Sequence, residues 1–369
     1  MRRARYGLIG SGMMGQEHLR NIALLNGAEV AAIYEPDTAM QAMALALVPG
    51  ATPEGSLTAL LARDDLDGLV IASPNDCHLA QLEQIAAGRP LPVLVEKPLF
   101  TDPADRPRIV RLARTYAAPI WVAMEYRYMP PVAAVIAEAE AATGGVRMLS
   151  IREHRFPFLH KVGHWNRHNS RTGGTLVEKC CHFFDLMRLI VGAEPVRVMA
   201  SGSQAVNHLD ETLRDGPPDI WDNAFVIVDF ANGVRAMLDL CMFAEGSEFQ
   251  EEISVVGPLG KIEAKVPGPL RFWPGDPAQA PLPLVIRSPR FPKAPIVRQV
   301  PVDPALLAAG DHNGATFYQH QRFLDVVRGN SQPEVGLLDG LMAVVMGQAA
   351  QVSAQEGRAV SIDADAVMA

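Results

Sequence analysis

Residues 10–15 read GSGMMG, a G-x-G-x-x-G that follows an apolar run at 6–9 and opens a helical pattern at 16–25. That context restricts the start of the chain to a strand–turn–helix unit. Gly10 permits the tight turn, Gly12 lets the backbone approach a pyrophosphate, and Gly15 lets helix and strand pack closely. Met13 and Met14 complete the turn that would face the phosphates. The helix N-terminus offers free N–H groups to the same anion. A second strand, 30–34, ends in Glu35, twenty residues past Gly15. An acidic side chain there binds adenosine ribose hydroxyls and repels a 2′-phosphate, so NAD is favoured over NADP. Asp37 is the competing carboxylate; Glu35 lies at the strand end.

Further apolar runs at 68–72, 93–95 and 120–124 alternate with helical patterns, which implies a parallel sheet covered on both faces. Ligands bind at the carboxyl ends of such strands. Two polar loops lie there, SPNDCH (73–78) and EKP (96–98). Their bland readings are a helix cap and a surface ion pair. Their position favours a role at the cofactor crevice, which places Ser73 and Glu96 among the cofactor residues.

After about residue 145 the pattern changes. Strand candidates at 146–153, 196–204, 223–230, 234–243 and 252–256 mostly follow one another without helices, and Asn232-Gly233 is a hairpin signal. A chain of 369 residues exceeds one core. The expectation is an N-terminal Rossmann domain, 1–126, and a C-terminal α/β domain, 127–369, with an open, mostly antiparallel sheet. Eleven of the 29 prolines fall in 267–304, an edge or loop excursion. Helical patterns at 315–328 and 337–355 follow it.

The net charge of -8 argues against nucleic acid and anionic membranes as partners. The four Cys form no C-x-x-C pair, so neither a zinc ribbon nor a disulfide framework is expected. We expect no metal, no targeting signal and a cytoplasmic setting.

The densest polar cluster is GGTLVEKCCHFFD (173–185). Read as one helix over 174–189, it puts Glu178, His182 and Asp185 at i, i+4 and i+7, on one face. Three readings compete. Adjacent Cys180 and Cys181 point about 100° apart and suit a single metal poorly. As core residues, the two Cys are small hydrophobes. Three polar groups on one face of an apolar helix need a polar destination, which favours acid/base work for Glu178, His182 and Asp185. On the preceding loop, Trp165 can stack on a sugar ring or cover an apolar edge, and Asn166 can bind hydroxyls. His312 and Tyr318 can also reach the pocket.

GSGMMG, SPNDCH, VEKP (95–98), RYMP (127–130), GGTLVEKCCHFFD and WDNAFVIVDFANG (221–233) together resemble the Gfo/Idh/MocA family of NAD(P)-dependent oxidoreductases, over nearly the whole chain. The resemblance implies that Lys97 touches nicotinamide ribose and substrate hydroxyl, that His182 is the acid/base, and that Glu178 stands in the place of an Asp. It implies that Pro74, Asn75 and His78 line the nicotinamide side. The implied activity is hydride transfer between NAD and a secondary alcohol of a sugar, cyclitol or related polyol, by a homodimer or homotetramer paired through the C-terminal sheet. Alternatives of the same fold are a glycosidase that oxidises its substrate transiently and a non-catalytic NAD-sensing regulator. Three positions depart from the family pattern: Glu178 for Asp, Lys179 beside it, and Glu125 where Asn or Gln is commoner.

Overall fold

The computed structural model describes residues 2–369. The first half runs β1 (Ala4–Ile9), α1 (Met13–Ala23), β2 (Ala28–Tyr34), α2 (Thr38–Leu47), β3 (Thr52–Glu54), α3 (Leu57–Leu61), β4 (Gly68–Ile71), α4 (His78–Ala86), β5 (Val93–Val95), α5 (Arg106–Thr115) and β6 (Ile120–Val122). The strands form one parallel sheet in the order β3-β2-β1-β4-β5-β6. The sheet turns back on itself beside β1, so the loops after β1 and β4 splay apart there and leave a crevice at their carboxyl ends. Val93, Leu94 and Val95 are all buried, as a strand covered on both faces requires.

The second half runs α6 (Pro130–Thr143), β7 (Met148–His154), α7 (Asn169–Thr172), α8 (Thr175–Glu178), α9 (Cys181–Val191), β8 (Pro195–Ser203), β9 (Asn223–Phe230), β10 (Arg235–Cys241), β11 (Glu251–Gly257), β12 (Gly260–Val266), β13 (Leu284–Pro289), β14 (Ile296–Gln299), α10 (Pro304–Ala309), α11 (Ala315–Val327), α12 (Leu337–Glu356), β15 (Val360–Ser361) and α13 (Ala364–Met368). Its nine strands form one sheet, β14-β13-β12-β11-β7-β10-β9-β8-β15. Only β10 and β7 pair in parallel; every other pair is antiparallel. The proline-rich excursion supplies β13 and β14 at the sheet edge. The sequence reading assigned no element to α6, which starts on Pro130 and Pro131 and stops at Gly144 with φ 70°. Proline is tolerated in a first helical turn, and glycine adopts the left-handed cap without strain.

Helices cover one face of this sheet: α6 lies on β11, β12 and β13, and α12 on β8. The other face is open. Met199, Ile227 and Met237 sit opposite one another across β8, β9 and β10, and Phe225 is 62% exposed beside them. Among the described residues α12 is the helix long and apolar enough to cross a membrane, and most of it is buried in the core instead. It touches β6 and α5 of the first sheet as well as α8, α9 and β8. A Cβ on Gly347 would stand 2.4 Å from the carbonyl oxygen of Leu176, so glycine is required for that approach.

Candidate active site

The crevice after β1 and β4 opens into a cavity of about 710 Å³, walled by Gly10, Gly12, Met13, Met14, Glu35, Ser73, Pro74, Asn75, Glu96 and Lys97. The loop 155–168 of the second domain closes it with His160, Lys161 and Trp165. Gly10 has φ 84°, and a Cβ there would meet the backbone nitrogen of Ser73 at 2.6 Å. A Cβ on Gly12 would meet nothing within 4 Å, so this glycine keeps open the space a ligand would fill. Gly15 lies outside the cavity and packs on the Gly10 carbonyl, 2.5 Å from its own ideal Cβ.

Glu35 accepts from the Ser11 N–H at 2.6 Å and from the Asp37 N–H at 2.9 Å, leaving further lone pairs on a carboxylate that borders the cavity. Asp37 caps α2 with Oδ1, which accepts from the Ala39 and Met40 amides, and it also borders the cavity, so the competing carboxylate keeps one oxygen for a ligand. Asn75 is buried, and its Nδ2 donor has no partner in the protein. An unpaired buried donor in a glycine-lined cleft suits a polar ligand with acceptor oxygens. These residues fit an NAD molecule. His78 departs from expectation. Its two ring nitrogens lie 2.8 Å from the Pro98 carbonyl and 3.0 Å from the Ser73 carbonyl, so it ties the two loops together from behind and faces no cavity.

The helix expected over 174–189 is interrupted. α8 ends at Glu178, and α9 begins at Cys181. Glu178 and His182 therefore do not share a helix face. The break has a chemical use: the Glu178 carbonyl accepts from Lys97 Nζ at 3.1 Å, across the domain boundary, instead of from the amide four residues on. Glu178 Oε1 lies 3.3 Å from Lys161 Nζ, and Oε2 is buried without a partner. Burial disfavours the Lys97 ammonium, but Cys181, Glu178 and Glu96 outweigh it and its pKa rises, so it stays charged. Burial lowers the Lys161 pKa despite Glu178.

His182 is 2% exposed and lies flat on Tyr126, with ring centroids 4.0 Å apart and planes 4° from parallel. Its Nδ1 is buried and unpaired. Burial, then the positive charges of Lys97 and Lys179, hold its pKa well below the usual histidine value, so the ring is neutral near pH 7. Lys179, between α8 and α9, hydrogen-bonds the Tyr126 hydroxyl and lies 2.7 Å from Glu153.

Two expected substrate contacts fall elsewhere, and a third reaches the cavity with one ring face engaged. Asp185 is fully buried and takes both of its hydrogen bonds from the Arg127 fork, whose Nη1 also donates to the Glu334 carbonyl at 3.1 Å. It anchors α9 and does not face the cavity. Asn166 donates to the Leu159 carbonyl at 2.9 Å and fixes its own loop. Trp165 does border the cavity, but its ring face is occupied by the Lys161 ammonium at 4.3 Å. Cys180 and Cys181 are buried and free, as core residues. Lys161, Tyr126 and Glu153 were not singled out from sequence; Tyr126 lies in the turn that follows β6, and the strand-end rule that selected the 96–98 loop reaches that turn too.

Glu125, Glu17 and His312 bring three possible metal-ligand atoms within 4.8 Å of one another. Most of their hydrogen bonds are made within the cluster, and Glu125 Oε1 is left without a partner. His312 Nδ1 lies 2.7 Å from Glu17, and the Thr316 hydroxyl lies 2.8 Å from Glu17 and 2.6 Å from Glu125. One hydroxyl proton cannot serve both carboxylates, so Glu125 supplies the second. Burial raises the Glu125 pKa, in keeping with a protonated carboxyl.

A family model described as an oxidoreductase family NAD-binding Rossmann fold matches residues 4–124, and one described as an oxidoreductase family C-terminal alpha/beta domain matches 142–362. Inositol 2-dehydrogenase of Leifsonia xyli subsp. xyli is 29% identical over 273 residues, 73% of this chain and 75% of that protein. The rhizopine catabolism protein MocA of Rhizobium meliloti is 26% identical over 279 residues, 75% of this chain and 81% of that protein. The solved structure of levoglucosan dehydrogenase with NADH and levoglucosan superposes with a TM-score of 0.80 at 19% identity, covering 98% of this chain and 100% of that one. With both halves matched in order by the two models, the chain belongs to the Gfo/Idh/MocA oxidoreductase family.

Proposed function

We propose that the protein is a dehydrogenase that oxidises a secondary alcohol of a sugar, cyclitol or related polyol, or reduces the corresponding ketone, with Lys97, His182 and Glu178 at the reacting carbon. The observation that carries this reading is the bond from Lys97, on the wall of the NAD cavity, to the 178–182 segment, where a buried glutamate oxygen and a buried imidazole nitrogen have no partner. A charged lysine is bonded to Glu178, a glutamate oxygen has no partner, and a neutral imidazole has a free nitrogen. Bound NAD supplies the hydride acceptor. The protein's part is proton and charge handling. Neutral His182 takes the hydroxyl proton as the carbinol becomes a carbonyl. The Lys97 ammonium stabilises negative charge on that oxygen. Glu178 Oε2 accepts from a neighbouring hydroxyl, which favours substrates with adjacent hydroxyls.

The relatives named as inositol and levoglucosan dehydrogenases support a polyol substrate. The free cysteines fit a reducing cytoplasmic compartment. The open sheet face fits pairing with a second copy, and the division into 1–126 and 127–369 follows the two sheets. The experiment is a panel of cyclitols, aldoses and glycosides scored for NADH. Accumulation with a polyol supports the reading. Turnover of a glycoside without NADH would replace it with redox-neutral cleavage, and binding of NAD with no turnover of any member would replace it with a regulator.

A further inference from the structure

Lys179 is the one charged residue of the 173–185 segment that the proposed chemistry leaves without a task. Its surroundings are specific. The side chain is buried, donates to the Tyr126 hydroxyl and lies 2.7 Å from Glu153 on β7. Tyr126 turns its ring face to His182 at 4.0 Å, nearly parallel, and its edge to Phe183 at 5.7 Å. Imidazole, phenol and ammonium thus form a stack with one fixed end. Without the lysine the phenol hydroxyl has no other partner among the described residues, and the ring that sets the imidazole plane is held by van der Waals contact alone.

We propose that Lys179 is a positioning residue for His182: it pins the ring on which the imidazole lies and places a second buried cation behind it. This rests on His182 being the proton acceptor.

The charged groups around the imidazole decide the sign of the second effect. From the first domain come Lys97, after β5, and Glu125 and Tyr126, after β6. From β7 come Glu153 and Arg155, which lie 3.6 Å apart. From β11 comes Glu251, opposite Glu153 in the register. His312 approaches from before α11, 6.0 Å from Tyr126. On the segment itself, Glu178 is tied to Lys161 and Asp185 to Arg127. Burial and then Glu153 push Glu251 up to about 7, so it is about half ionised near neutrality. Glu125 is protonated, as its hydrogen bonds require. Lys179 and Arg155 then outweigh Glu153 and a half-ionised Glu251, and the balance behind His182 is positive. Burial, with Arg155 next, brings Lys179 down to about 8, so most of it is charged at pH 7. A positive neighbour opposes protonation of the imidazole and keeps it a base at lower pH.

The test is the pH profile of kcat/KM in Lys179→Met. A group that must be unprotonated to act gives a limb on which activity falls as pH falls through its pKa. Removing a cation raises that pKa, so the acidic limb is expected to move to higher pH by about 1 unit, with the KM for NAD unchanged. A purely structural role would lower activity at every pH and leave the limb in place. Lys179→Met leaves Glu153 buried without its partner, which threatens folding. Lys179→Gln removes the cation but keeps an N–H donor for Glu153, and is expected to show the same direction of shift. A limb at the wild-type pH in either folded variant overturns the proposal. His182→Asn separates this from the functional reading. If the limb survives in His182→Asn, His182 is not the proton acceptor. The link itself is still tested by ¹⁵N NMR of the His182 imidazole, whose titration must move up in Lys179→Met.

Discussion

The proposed chemistry rests on three side chains, Lys97, His182 and Glu178. Lys97→Ala and His182→Ala are each expected to lower turnover by about 10²–10⁴-fold, the usual weight of a general acid or base. Titration of NAD against intrinsic fluorescence should find binding nearly unchanged in both. Full turnover in either variant removes that residue from the chemistry. Glu35 governs a different property. Its carboxylate already holds the Ser11 amide and borders the cavity, and a charge-assisted bond to a ribose hydroxyl is worth about 1.5–3 kcal/mol. Glu35→Ser should shift the ratio of NAD to NADP affinity by about tenfold or more toward NADP; an unchanged ratio places the ribose contact elsewhere. At this scale the sequence was readable where a residue's task is set by its own backbone. Gly10 and Gly12 are such cases, since a tight turn and an open approach are local demands. Asp185 was misread because its partner, Arg127, lies 58 residues away, and helix spacing says which face a side chain leaves from but not what meets it.

Elements carry the next layer. The α8–α9 break could not be read from 173–185, whose residues suit an unbroken helix; the carbonyl freed at the break is met by a lysine 81 residues earlier in the chain. The hairpin at Asn232-Gly233 was readable, because Gly233 at φ 83° and the β9–β10 register are properties of that stretch alone. Between elements, the most consequential tie is Glu17 on α1 with His312 ahead of α11. His312, raised above its usual value by its bond to Glu17 against burial, loses its contribution to stability as pH climbs from 6.5 through that raised pKa. Glu17, lowered to about 2 by His312 despite burial, loses its own as pH falls from 4.5 toward 2. Both halves of this one interaction are at full strength between those limits, near pH 5–6. His312→Gln should therefore cost on the order of 3 kcal/mol near pH 6 and progressively less toward pH 10, read by urea unfolding at both pH values. An equal loss at both would mean that packing, not the ion pair, is what His312 supplies.

At the scale of the whole molecule, the open face of the second sheet is an unsatisfied surface. Met199, Ile227, Met237 and Phe225 are presented together on the uncovered side of the nine-stranded sheet. Arg197 and Arg235, both paired to Asp229, flank the apolar row. Charges of both signs beside an apolar row suit a symmetric partner, since each copy can offer what the other lacks. A Phe225→Lys/Ile227→Lys variant should lower the mass found by light scattering to that of a single chain while leaving NAD binding in place. An unchanged mass moves the interface off this face.

One feature of the architecture bears on how the chain is made. The first sheet is not finished by the first domain: Val122 N–H bonds the Val335 carbonyl at 3.0 Å, and Gly340 of α12 lies against Val122 and Leu99. On a ribosome these partners arrive last, some two hundred residues after β6 has emerged. Until then β6 shows the solvent a bare flank of Val122 and Leu99. The Rossmann half can assemble early but waits, partly undressed, for the end of translation. A nascent chain stalled before residue 335 is thus the form of this protein most dependent on chaperones.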